Sequence, residues 1–114
     1  MKIKLARNKQ GSLYITHPTN LGLLADFLET DVNENLEYCQ DILAAIANID
    51  KCPYPNHQEN LCGNLYELII KHSEALLLNL HDDSVTPVRI KLKELTDLLT
   101  AWQKEITDNG SKNI

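Results

Sequence analysis

Cys52, His57 and Cys62 lie in one polar stretch, five residues apart each time. Three sulfur and nitrogen donors at that spacing could begin a zinc site, with His72 or Cys39 as the fourth ligand. The close Cys-x-x-Cys pairs typical of structural zinc are absent, however, and Cys39 falls on the apolar stripe of a helix. One buried thiol and two loop thiols is the better reading. A nucleophilic cysteine needs a base or a helix N-terminus to lower its pKa, and only the nearness of His57 to Cys52 and Cys62 offers one. Asp82-Asp83 could pair for acid–base work. Adjacent acids after a strand more often turn the chain. The four glycines are widely scattered and build no phosphate-cradling loop. These residues lead us to expect no catalytic centre, no metal and no cofactor.

Charge carries more information. The net charge is −5, and from Gln10 to Asp50 there is no Lys or Arg at all. That stretch holds Asp26, Glu29, Asp31, Glu34, Glu37, Asp41 and Asp50, leaving nine of the sixteen acids and all eleven bases elsewhere. In helical register Glu34, Glu37, Tyr38 and Asp41 fall at i, i+3, i+4 and i+7, on one face, with Glu29 and Asp31 flanking them. Such a patch repels phosphate backbones and attracts basic proteins. The plain alternative is a solvated face kept acidic for solubility. A second, weaker candidate surface is the loop Tyr54 to Asn60. The first residues are basic (Lys2, Lys4, Arg7, Lys9), but an overall negative charge argues against nucleic acid, and lysines there also guard a sheet edge.

The elements that must position these groups follow from periodicity. A chain of 114 residues is one domain, expected over 1–108 with a tail over 109–114. Lys2 to Leu5 alternates, Asn8-Lys9-Gln10-Gly11 turns, and Leu13-Tyr14-Ile15 returns until His17-Pro18, which is a β-hairpin. Asn20 to Thr30 is ambiguous, since Leu21, Leu23, Leu24, Phe27 and Leu28 suit a short helix but Gly22 weakens it. Asp31-Val32-Asn33-Glu34 resembles a capping box and opens a helix with Leu36, Cys39, Ile42, Leu43, Ile46 and Ile49 inward, stopped by Pro53. Lys51 to Asn64 reads as a loop. A second hairpin follows around His72-Ser73-Glu74, with Tyr66, Leu68 and Ile70 facing in. Leu76, Leu78 and Leu80 are expected to face in on its partner, while Ile69 hints that the other face is covered too. Val88 to Lys91 is a fifth strand. Leu92, Leu95, Leu99, Trp102 and Ile106 mark a final amphipathic helix closing near Asn109-Gly110. The expected fold is α+β, with antiparallel sheet or sheets of about five strands in the order ββ-α-βββ-α and helices packed on the sheet.

No uncharged hydrophobic leader develops over Met1 to Gln10, and no apolar run approaches the roughly 20 residues of a membrane span. Three cysteines suit reduced thiols better than a disulfide framework, so a cytoplasmic location is expected.

The segment Phe27-Leu28-Glu29-Thr30-Asp31-Val32-Asn33-Glu34-Asn35-Leu36, continuing into the helix through Ile49, resembles the central helix of the YacL-like bacterial proteins. The hairpin Arg7 to Gly11, the strand Gly63-Asn64-Leu65-Tyr66-Glu67-Leu68 and the ending Ile90 to Ile106 are similar in style. In size and layout the chain also resembles immunity proteins of contact-dependent growth inhibition systems, nearest those paired with EndoU-type RNase toxins. The resemblance implies an inhibitor that binds a delivered toxin domain and blocks its active site, without catalysis and without a cofactor. It also allows a Whirly-like arrangement, which keeps single-stranded nucleic acid as an alternative ligand by analogy. A dimer through the edge of the first hairpin is a further possibility. On this reading Glu29, Asp31, Glu34, Glu37, Tyr38 and Asp41 would form the toxin-binding surface.

Overall fold

In the computed structural model, which describes residues 2–19 and 21–112 (side chains only as far as 108), alternation and turn chemistry produce the first ribbon where expected. Lys4–Arg7 (β1) pairs antiparallel with Leu13–His17 (β2). The turn between them needs a left-handed residue, and Gly11 supplies it at φ +84°. Asn8 Oδ1 accepts from the Gln10 and Ser12 N–H groups, an Asx arrangement that fixes the turn. Lys2 and Lys4 face solvent while Ile3 and Leu5 pack toward the core.

The ambiguous segment is helical, but in two pieces. Leu23–Phe27 (α1) is followed without a break by a π-helical stretch, Leu28–Val32, in which Asn33 N–H reaches back to Leu28 O at 2.7 Å. Gly22 does not weaken the interior, because it sits before the first turn at φ +55°, a conformation costly for other residues. Leu24, Phe27, Leu28 and Val32 are buried along one side. Met1, Asn113 and Ile114 lie outside the described residues, as does Asn20, where the ambiguous segment was expected to begin.

Leu36–Lys51 (α2) begins later than the Asp31-x-x-Glu34 pattern implied. Its N-cap is Asn35, whose side chain accepts from Tyr38 N–H at 3.0 Å, so Asp31 and Glu34 precede the helix. Cys39, Ile42, Ala45, Ile46 and Ile49 form its buried stripe. The stretch read as a loop contains a sixth strand, Glu59–Cys62 (β3), so the count of about five was short. Tyr66–Ile70 (β4), Glu74–Asn79 (β5), Val88–Lys91 (β6) and Leu92–Lys112 (α3) complete the chain. The backbone of α3 continues past Asn109-Gly110, where closure was expected, into the range assigned to a tail.

The result is α+β, with a separate two-stranded sheet, β1-β2, and a four-stranded antiparallel sheet in the order β3-β4-β5-β6. Helix α2 packs over β3 and β4, α3 over β5 and β6, and the two helices pack against each other. Tyr66, Leu68 and Ile70 face them, as the alternation predicts. On β5, however, the inward residues are Ala75 and Leu77, both 0 % exposed, and Leu76, Leu78 and Leu80 face the other way. A strand apolar on both faces cannot be oriented from its own pattern, and its register with β4 decides. Trp102, at the centre of the α3 stripe, is fully buried, and its indole N–H donates to Asn33 O at 2.6 Å, tying the last helix to the end of the π-helical stretch.

Candidate functional site

A cleft of roughly 410 Å³ opens between the first turns of α2 and the β3–β4 turn. Asp31, Asn35, Glu37, Tyr38, Asp41, Cys62, Gly63 and Asn64 line it. Four of the six residues singled out by charge therefore come together, and Glu29 and Glu34 do not join them. Asn35, Cys62, Gly63 and Asn64 were missed. Asn35 was legible as a good N-cap immediately before an apolar-periodic run. The other three are brought in by β3 and the turn after it, in a stretch whose prolines and polar residues carry no strand pattern.

The acids have different occupations. Asp31 is a staple: its carboxylate accepts from Leu65 N–H at 3.1 Å and from Tyr66 N–H at 2.9 Å, closing the β3–β4 turn against the π-helical stretch. Gly63 makes that approach possible, since a Cβ there would lie 2.7 Å from Asp31 Cγ. Glu29 is half-buried and accepts from Ile15 N–H at 3.3 Å, attaching β2. Glu34 accepts from the Arg7 guanidinium at 2.7 Å, and Arg7 also donates to Gly11 O. Glu37 and Asp41 remain, exposed and without an ion pair among the described residues. Glu37 lies in the first turn of α2, where an acid also suits the helix dipole.

Beneath the carboxylates lies an aromatic floor. Phe27 meets Tyr38 and Tyr66 edge-on, with centroids 6.4 and 6.1 Å apart. Tyr66 donates its hydroxyl to Asp26 at 2.5 Å. The Tyr38 hydroxyl is buried and has no partner among the described residues. Burial, with Asp31, Cys62 and Asp41 nearby, pushes the Tyr38 phenol up to about 12. Burial and then the bond to Asp26 push Tyr66 up to about 12 as well. Both folded values lie above the ordinary 10.0, so the stability gained from neutral phenols is complete below pH 10 and is lost as pH rises from 10 toward 12. Denaturation followed across that window should show stability falling as phenolate absorbance grows. Tyr66→Phe is expected to be less stable at pH 8, lacking the bond to Asp26, yet to lose less between pH 10 and 12.

The cysteine and histidine groups do not assemble. Cys39 is buried, its thiol pushed up to about 11 by desolvation and directed at Leu99 O, which disfavours a thiolate nucleophile. His57 meets Glu59 at 3.4 Å, His72 meets Tyr54 O at 2.6 Å, and His81 meets Asn64 O at 3.0 Å. Among the described residues no three His, Cys, Asp or Glu side chains converge on a point that could hold a metal ion. The second surface raised from sequence, Tyr54 to Asn60, is exposed at Tyr54 (71 %), but its last two residues belong to β3. Asp82 accepts from the Ser84 hydroxyl and N–H, bonds that hold its carboxyl below the usual range and mark a turn. No helix among the described residues is long and apolar enough to cross a membrane.

No family model matches the chain, and no curated protein or solved structure is significantly similar to it.

Proposed function

We propose that this chain is a binding protein that neutralises a toxic nuclease by seating a basic segment of it in the acid-lined cleft. The observation that carries the reading is the state of Glu37, Asp41 and Tyr38. Among the described residues, two exposed carboxylates without internal partners stand beside a buried hydroxyl that makes no hydrogen bond. A buried polar group left unpaired costs about 1–3 kcal/mol, a cost that a partner recovers only if Tyr38 turns its hydroxyl, closed off from solvent here, into the cleft. Cationic side chains on the partner would meet three carboxylates and no competing base, since no Lys, Arg or His is among the described residues that line the cleft.

RNases need basic surfaces to hold their substrate, and complementary charge speeds encounter and rejects the wrong partner. The resemblance to immunity proteins of contact-dependent growth inhibition supplies the partner class, an EndoU-type RNase toxin domain intercepted in the cytoplasm. A cell-free RNA cleavage assay with such a domain, titrated with this protein, tests the reading. Cleavage is expected to vanish at one equivalent. Undiminished cleavage at large excess, with no complex on a sizing column, would remove the pairing.

A further inference from the structure

Strand β5 is apolar on both faces and β4 carries Ile69 beside Glu67 on its outer face, yet the helices cover only one face of the sheet. Ile69, Leu76 and Leu78 lie on the open face, with Leu65 and Leu80 39 % and 42 % exposed beside them. None of these five belongs to the core or packs against it. Strands apolar on both sides are the pattern of a sheet covered on both sides. Nothing among the described residues provides the second cover.

We propose that a second copy of this chain covers it, in a two-fold dimer packed sheet against sheet. The occupant is argued from self-complementarity. Register sets Ile69 beside Leu76, and the bonds Leu80 N–H to Leu65 O and Lys71 N–H to Glu74 O extend the pairing to Leu65 beside Leu80 and Lys71 beside Glu74. A two-fold axis running along the strands, between β4 and β5, lays β4 of one copy over β5 of the other at the same height. Leu65 then meets Leu80, Ile69 meets Leu76, and Lys71 meets Glu74 across the interface. Glu74 also accepts from Arg89 of β6 at 3.4 Å within its own chain. An axis across the strands would instead set Lys71 and Glu74 against Leu65 and Leu80, with no opposite charge facing them from the other copy. Glu67, the charge nearest the centre, is drawn toward the β3 edge, where Asn60 Nδ2 donates to it at 3.1 Å. The pattern thus completes itself with its own copy.

Four strands about 4.8 Å apart and about five residues long give a footprint of roughly 20 by 17 Å. That is about 340 Å² on each copy and about 680 Å² for the two, below the ~1,200–2,000 Å² typical of specific interfaces, so a weak dimer in exchange with monomer is expected. Dimerisation leaves the helices outermost, with the cleft beside α2.

Sedimentation of the full chain across the micromolar range tests this, with circular dichroism to verify folding of each variant. The wild type should dimerise with concentration. Leu76→Glu should be monomeric, and Lys71→Glu should weaken association at least about tenfold by setting two acids face to face. The double variant Lys71→Glu/Glu74→Lys should restore it; because the two residues are also neighbours within one chain, the rescue counts only where all three variants melt like the wild type by circular dichroism. A wild type that stays monomeric throughout overturns the proposal. So does a dimer indifferent to both Leu76→Glu and Lys71→Glu, which would belong to a sheet edge. A monomer in which Leu76→Glu abolishes capture of a toxin domain also overturns it, giving the face to the toxin.

Discussion

Replacing Glu37 and Asp41 together by lysine is expected to slow association with the toxin domain by about 10–100-fold at low ionic strength, while the fold survives. Both side chains are exposed and spend no ion pair on the protein among the described residues. The stability cost is the loss of a favourable acid in the first turn of α2, about 0.3–1 kcal/mol at Glu37. Glu34 is best left in place, because reversing it would break the 2.7 Å pair with Arg7 and mix a folding effect into the readout. Asp50→Lys, at the far end of the same helix, is the control for position; it is to be compared with Glu37→Lys alone, which changes the net charge equally. Stopped-flow association at two salt concentrations reads the result. A double variant that associates at the wild-type rate, with unchanged salt dependence, would reduce the cleft acids to solvated surface.

The largest effect on stability is expected at Asp31. Asp31→Ala strands the Leu65 and Tyr66 N–H groups and releases the β3–β4 turn from the π-helical stretch. The cost should be about 2–4 kcal/mol, since each donor loses a charged acceptor and one of them is partly buried. The melting temperature would fall by roughly 10 °C or more. Asp31→Asn keeps one acceptor oxygen and should lose about half as much. Thermal melts by circular dichroism separate the cases. An Asp31→Ala protein that melts like the wild type but fails to bind would make Asp31 part of the partner surface.

The contrast between Asp31 and Glu37 shows where sequence reading reaches its limit. Both are acids six residues apart in an unbroken acidic stretch, and nothing local distinguishes them. What separates them is contact with Leu65 and Tyr66, more than thirty residues onward. Glu29 and Glu34 likewise owe their roles to Ile15 and Arg7 in the first ribbon. Elements set by near neighbours were legible: the Gly11 turn, the buried stripe of α2, and Trp102 at the heart of α3. Strand β3 was not, because only Leu61 in Glu59–Cys62 is a large apolar residue and Pro53 and Pro55 precede it. The inward face of β5 was misassigned because leucines occupy both of its faces.

The β1–β2 ribbon hydrogen-bonds to itself as a separate sheet and is joined to the rest through buried Leu13, the half-buried Ile3, Leu5 and Ile15, the Glu29 bond to Ile15, and the Arg7–Glu34 pair. Such a unit is the natural candidate for local unfolding, with amide exchange faster than in the four-stranded sheet. Each opening frees Glu34 from Arg7 just ahead of the helix that carries Glu37 and Asp41. The field a partner meets then depends on a ribbon that does not line the cleft: Asp31, Glu37 and Asp41 while it is shut, with Glu34 freed beside them while it is open.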